Sequence, residues 1–409
     1  MSMELLGIEQ VRAAARVLEG VSEVTLLEPS RALSERCGGA THLKCENLQR
    51  TGAFKIRGAY NRIYRLSDEE RARGVVTSSA GNHAQGVALA AQLLGVKSTV
   101  FMPQGAAIPK VEATTRYGAD VRLEGIVYDD ASTAATKFAE ETGAVMVHPF
   151  DHLDVIAGQG TIALEILEQL PEVNTIVVPV GGGGLISGIA ATAKALKPSI
   201  KIIGVEPQGA ASVALALESG ELVPLEVMST VADGLAAKKA GALGLQHVQK
   251  FVDQLVTVND EQIAEGLLLT AERAKMVVEP AGAAGVAALM SCENLDITYP
   301  AVVVLSGGNI DPLLLLRVIR FGMGSAGRFV SFSTMLPDRP GELHRLSGVI
   351  ATTGANVIGV EHRREGVSKR LLGDVEITIQ AETRGFDHVQ SVIEQLKAAG
   401  YNPQKLSLA

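Results

Sequence analysis

Thr175-Ile176-Val177-Val178-Pro179-Val180-Gly181-Gly182-Gly183-Gly184-Leu185-Ile186-Ser187-Gly188 is the stretch that decides how this chain folds. Its opening residues are uncharged and rich in β-branched side chains, which reads as a strand buried on both faces. Four successive glycines follow, and then a segment with the composition of a buried helix. The uncharged run over 175–193 approaches membrane-spanning length, but Pro179 and five glycines suit a strand, a turn and a helix better than a bilayer. Bare glycine amides at the start of a helix make a nest for a small anion, and a phosphate is the obvious guest. The lysine–serine ending of a P-loop is missing, which disfavours nucleoside triphosphate hydrolysis. A dinucleotide-binding turn is the serious rival, with Glu206 suitably placed for a ribose. No frame of the segment satisfies G-x-G-x-x-G, however.

The same alternation extends outward from about residue 74 to residue 320. Short apolar runs at 74–78, 98–102, 120–123, 144–147, 175–179, 201–205 and 301–305 read as strands. Segments at 84–94, 156–169, 261–275 and 283–290 carry helical patterns. Apolar strands separated by helix-length segments predict an α/β protein with a parallel sheet covered on both faces. Ligands are then expected beyond the carboxyl ends of the strands. The texture changes at Phe321-Gly322-Met323-Gly324-Ser325-Ala326-Gly327, a glycine-rich stretch that reads as a hinge. After it, strands at 329–335, 355–362, 372–380 and 404–408 with helices at 342–353 and 387–399 give the β-α-β-β-α-β order of a ferredoxin-like unit. The expected division is therefore 1–320, a linker at 321–327, and 328–409.

Bulk properties narrow the function classes. A chain of 409 residues calls for two or three domains. A net charge of -8 argues against a nucleic-acid backbone or an anionic membrane as main partner. No basic segment followed by an apolar one opens the sequence, so no secretory signal is visible. Three scattered cysteines (Cys37, Cys45 and Cys292) fit neither a disulfide framework nor a zinc site. These features together predict a cytoplasmic protein.

Three further motifs carry chemistry. In Thr51-Gly52-Ala53-Phe54-Lys55-Ile56-Arg57-Gly58 a lysine enters a predicted helix among small and apolar neighbours. Burial disfavours its ammonium form and frees an amine of the kind Schiff-base chemistry requires, although a lone lysine is usually just solvated. Ser78-Ser79-Ala80-Gly81-Asn82-His83 joins a strand to a helix, where small residues admit a ligand and free amides suit a carboxylate. Asn82 has the chemistry to bond a ring oxygen, or Ser79 or Asn82 simply caps the helix. His83 reads as a packed structural histidine. Leu305-Ser306-Gly307-Gly308-Asn309 closes the last strand of this region, where an uncharged hydroxyl is able to meet a heterocyclic nitrogen. An anion nest, an amine, an asparagine and a hydroxyl would converge on a phosphorylated aromatic aldehyde.

Together these motifs resemble the fold-type II pyridoxal-phosphate enzymes, and within them the threonine ammonia-lyases, over nearly all of residues 1–320. The resemblance implies two lobes with parallel and mixed sheets, the smaller of about residues 50–150 inserted in the larger. It implies pyridoxal 5'-phosphate held by Lys55 as the covalent and catalytic lysine, by Phe54 beside it, and by Asn82 at the ring hydroxyl. Gly181, Gly182, Gly183, Gly184 and Leu185 would cradle the phosphate, with Ser306 at the pyridine nitrogen. Ser78, Ser79, Ala80 and Gly81 would hold the substrate carboxylate. Glu279 would lie near the site or make a structural ion pair. The implied reaction is deamination of L-threonine to 2-oxobutanoate, with L-serine to pyruvate as a side activity. Serine racemases of this family place a serine where Ala80 stands, and a methyl group donates no proton, so a racemase is the less favoured reading. The motifs also admit a 3-hydroxyaspartate dehydratase and, from a different class, a non-catalytic amino-acid sensor, against which the intact Lys55 speaks. Relatives with a metal site have an acidic ligand where Ser212 stands, so no metal is expected. The tail resembles an ACT domain, with Asp338 and Gly341 as its candidate effector residues. Isoleucine or valine is the expected effector, and a homo-dimer or homo-tetramer the expected assembly.

Overall fold

The computed structural model describes residues 4–364 and 373–406. The chain divides into two compact units, Met1–Asp311 and Pro312–Ala409. The first carries strands β1 (Leu27–Pro29), β2 (Thr41–Lys44), β3 (Val75–Ser78), β4 (Ser98–Met102), β5 (Asp120–Leu123), β6 (Val145–Met146), β7 (Thr175–Pro179), β8 (Lys201–Pro207), β9 (Gln254–Val258) and β10 (Ala301–Val304). They make two sheets rather than one. The larger runs β1-β2-β10-β7-β8-β9 and is parallel except for β1 against β2. The smaller runs β5-β4-β3-β6 and is wholly parallel. Every residue of β7 and β10 is buried, as their uninterrupted apolar sequences require. β1, β2 and β9, which the sequence pattern does not reveal, complete the larger sheet. Among the described residues no helix is long and apolar enough to cross a membrane.

Close helix packing positions the functional segments. Helix Lys55–Tyr64 meets helix Leu153–Gln169 at Gly58 and Gly158; a Cβ on Gly158 would lie 2.5 Å from the Arg57 carbonyl oxygen. Beneath this contact sits a buried charge network. Arg57 donates to Glu46 through Nε at 2.9 Å and Nη2 at 2.8 Å, and through Nη1 to Glu165. Lys44 donates to Glu165 at 2.6 Å. Burial works against the Arg57 charge, but Glu46 and Glu165 more than offset it and hold the guanidinium pKa above its usual value. The network ties β2, the Lys55 helix and helix Leu153–Gln169 into one rigid base. The helix expected over 261–275 ends earlier: Asp260–Leu269 is α-helical, Thr270–Ala274 is a π-helical turn, and Lys275 stops it at φ 60°.

The second unit contains β11 (Phe329–Pro337), β12 (Asn356–Arg363), β13 (Asp374–Glu382) and β14 (Gln404–Lys405), antiparallel in the order β12-β13-β11-β14. With helices Glu342–Thr353 and Phe386–Ala398 this is the ferredoxin-like arrangement read from the sequence. Val375, Ile377, Ile379 and Ala381 alternate along β13 into a core with Phe332, Leu346 and Leu396. Leu372, Ser407 and Leu408, assigned to strands from the sequence, lie outside the described residues. The expected hinge at 321–327 needs correction. Helix Pro312–Ser325 runs through most of it, and Gly322 is buried within that helix. Only Gly327 takes a left-handed φ, 64°.

Candidate active site

A cleft of about 960 Å³ opens in the first unit, bordered by the carboxyl ends of strands from both sheets. It brings together Phe54, Lys55, Asn82, Ser306, the 78–81 loop and the turn from Gly181 to Leu185. Asp338 and Gly341 belong to the second unit. There Arg364 donates to the Asp338 carboxylate at 3.2 and 3.3 Å, and Gly341 precedes helix Glu342–Thr353 with φ 92°.

Lys55 occupies the first turn of its helix and is half-buried. Its Nζ donates to the Pro149 carbonyl at 2.8 Å and lies 5.0 Å from the centre of the Phe54 ring. Burial pulls its pKa down from 10.5 to about 8, while Glu279 acts in the opposite direction. Near neutral pH the amine is therefore neutral far more often than that of an ordinary lysine. Phe54 is held by its own amide, which donates to the Ser306 carbonyl at 3.2 Å.

The glycine turn follows β7 and starts helix Gly184–Leu196. Gly183 adopts φ 97°, a conformation that favours glycine. A Cβ on Gly182 or Gly184 would strike Phe150, and one on Gly181 would lie 3.0 Å from the Leu235 carbonyl oxygen. Small size is thus required by packing as well as by any ligand. The first-turn amides of a helix have no acceptor within it, so this end presents donors and a positive dipole to the cleft.

Asn82, at the start of helix Asn82–Leu93, donates from Nδ2 to Glu279 Oε1 at 2.6 Å and accepts at Oδ1 from Asn309 Nδ2 at 2.9 Å. Glu279 sits just before helix Pro280–Ser291. Burial, reinforced by Asp233, lifts its carboxyl to about 7, against the opposing effects of Lys110, Asn82 and Lys55. Ser306 is buried beyond the end of β10, with its hydroxyl 3.5 Å from the Ala281 carbonyl oxygen. His83 donates from Nε2 to the Val147 carbonyl at 2.9 Å, and burial drops its pKa to about 3. It is a neutral, structural histidine, as the sequence indicated. Glu206, by sequence a candidate partner for a ribose, is instead fully buried and accepts from the amides of Val213 and Ala214 at 2.8 Å.

The sequence pattern does not reveal the loop from His148 to Asp151. His148 Nδ1 accepts from the Asp151 amide at 2.8 Å, Pro149 receives Lys55, and Phe150 fills the space above Gly182. The Asp151 carboxylate accepts from the amides of Ala242 and Leu243 at 2.9 Å, capping helix Ala242–Phe251. Its position directly after β6 was the available signal. The residues fit pyridoxal phosphate: an amine, an anion nest, a carboxamide and an uncharged hydroxyl line one cleft. Buried Ser78 Oγ, in the same cleft, has no hydrogen-bond partner among the described residues and is left for a ligand.

An amine with a lowered pKa facing a helix-borne glycine nest across a two-sheet cleft defines a fold-type II pyridoxal-phosphate enzyme. The family model for pyridoxal-phosphate dependent enzymes matches residues 19–307, and the chain belongs to that family. It is similar to the L-threonine ammonia-lyase of Thermotoga maritima, 48% identical over 398 residues that cover 97% of this chain and 98% of the relative. Among solved structures it resembles the processed form of threonine deaminase isoform 2 from Solanum lycopersicum: TM-score 0.74, 38% identity, 78% of this chain and 90% of that one. Maize serine racemase also has a TM-score of 0.74, with 38% identity over 79% of this chain and 99% of that one.

Proposed function

We propose that the chain deaminates L-threonine to 2-oxobutanoate and ammonia, with L-serine to pyruvate as a side activity. The observation that carries this reading is the Lys55 amine, lowered to about 8 and sharing a cleft with the glycine turn and Ser306. Bound there, pyridoxal phosphate supplies an aldehyde for the amine and a conjugated ring that withdraws electrons from the substrate's α-carbon. The Gly181–Leu185 amides would hold the phosphate, Asn82 would meet the ring hydroxyl, and the 78–81 loop would bind the substrate carboxylate. With the cofactor bound, the Lys55 amine would take the substrate's α-proton at Nζ. The β-hydroxyl would leave with a proton, so that the proton lost from the α-carbon and the hydroxyl together make the water released, and the enamine tautomerises and is hydrolysed to the oxo acid and ammonia. Ser306 would offer the ring nitrogen an uncharged hydroxyl, which, unlike a carboxylate, cannot hold a full positive charge there.

Two observations favour a neutral hydroxy amino acid and a lyase. The cations lining the cleft besides Lys55 are Lys110, paired with Asp233 at 2.7 Å, Lys238, paired with Asp129 at 2.6 Å, and exposed Lys239. Among the described residues, a second carboxylate, as in 3-hydroxyaspartate, therefore meets, besides Lys55, cations that are already paired or exposed. Ala80 also offers no proton for racemisation. In the second unit, which the similarity to the Thermotoga lyase also covers, we place an amino-acid effector such as isoleucine or valine near Asp338 and Gly341. Incubating the purified, yellow protein with threonine and with L-serine, and assaying oxo acids and serine chirality, tests the reading. The expected result is 2-oxobutanoate and pyruvate without D-serine. D-serine as main product would favour a racemase, and absence of turnover a sensor.

A further inference from the structure

We propose that Asn309 is a positioning residue that fixes which way the Asn82 carboxamide faces, and thereby delivers an N–H to the cofactor's ring hydroxyl. The direction of the hydrogen-bond chain is set at one end by a group that cannot reverse. Asn309 Nδ2 donates to the backbone carbonyl of Thr51, and a carbonyl only accepts. The atom of Asn309 at that end is therefore its amino group. The same group reaches Asn82 at 2.9 Å, so Asn82 must turn its oxygen toward it. The Asn82 amino group then points to Glu279 Oε1, 2.6 Å away, and uses one of its two hydrogens there. One N–H remains. In the cleft that holds Lys55 and Asn82, it is the donor a ring oxygen requires.

The anchor itself is held under strain. Thr51 has φ 64°, costly for a β-branched residue, and its neighbour Gly52 lies so close to Asn309 that any Cβ would collide with the carboxamide. The Gly308 amide donates to the Gly52 carbonyl at 2.8 Å, and Ala53 pairs with Gly307. The strand-end loop after β10 is thus bonded to the segment leading into Lys55, and Asn309 carries that connection on to Asn82. Among the described residues, the hydrogen-bond partner left to the Asn82 amide without Asn309 is Glu279, whose carboxyl, lifted to about 7, is able to donate or accept near neutral pH.

This assignment rests on Asn82 facing the cofactor. Its test is a double-mutant cycle read as pyridoxal-phosphate affinity of the cofactor-depleted protein, with the visible spectrum recorded alongside. Asn309→Ala is expected to raise the Kd about tenfold, the effect of one lost hydrogen bond, and to shift the visible band. In an Asn82→Ala background the same substitution is expected to change Kd by less than about twofold, because its route of action is gone. Equal effects in both backgrounds, or wild-type affinity in Asn309→Ala, would overturn the proposal. Asn309→Asp keeps the size but has no donor. It is expected to weaken binding at least as much, and wild-type affinity for it would overturn the proposal even if the alanine variant does not fold. A wild-type chain that binds no pyridoxal phosphate would sink the functional reading itself; unaffected Asn309 variants sink only this assignment.

Discussion

Lys55 and Arg57 stand two residues apart on one helix, and their charges are treated in opposite ways. Arg57 is buried against Glu46 and Glu165, which keep its guanidinium charged. Lys55 faces the cleft with a carbonyl as its hydrogen-bond acceptor, and burial drives its pKa down to about 8. Burial alone does not decide charge; the partners do. A structural cation is surrounded by carboxylates, whereas a reactive amine is enclosed with too little negative charge to hold its proton. The first rigidifies the helix that presents the second.

Substitutions on the two sides of the helix separate these roles. Arg57→Met leaves two carboxylates and Lys44 imbalanced in a dry site, and chemical denaturation of the first unit is expected to show a loss of about 3–5 kcal/mol. A loss under about 1 kcal/mol would break the contrast, since that is the scale of a solvated pair. For Lys55 the measurement is kinetic. Only the neutral amine attacks an aldehyde, so a pKa lowered from 10.5 to about 8 makes cofactor attachment speed up with rising pH and level off just above 8. A rate that climbs steadily to pH 10.5 would mean an ordinary, solvated lysine. Gly182→Ala forces a methyl group against Phe150, and over-packing of this kind costs about 1–3 kcal/mol. The cost is expected as weakened cofactor binding, partly restored by Phe150→Leu. The smallest effect belongs to Arg364→Ala in the second unit. Its pair with Asp338 is solvent-exposed, and the melting temperature is expected to reflect less than about 1 kcal/mol.

The segments that line the cleft were legible in the sequence because anion nests and strand-end turns require particular small residues in consecutive positions. It did not disclose what supports them. Arg57 meets Glu165, 108 residues later, and nothing local to either marks the partnership. The His148–Asp151 loop lacks glycine, so its grip on Lys55, Gly182 and helix Ala242–Phe251 left no local pattern. Asn309 belongs to a readable strand-end turn, but its bonds to Thr51 and Asn82 depend on chain segments brought together by β10. The stretch at 321–327 misled for the converse reason. Glycines permit a hinge, yet Gly322 is buried within a helix. In the ferredoxin-like unit, strict alternation along β13 made the strand readable without any knowledge of its partners.

The most direct measurement is chemical trapping of the cofactor on its lysine. The loaded protein is reduced with borohydride, digested, and its peptides are sequenced by mass spectrometry. The expected result is pyridoxal phosphate fixed to Lys55 alone, and no threonine deamination in Lys55→Ala. A label on Lys110 or Lys239, or undiminished turnover by that variant, would contradict the account.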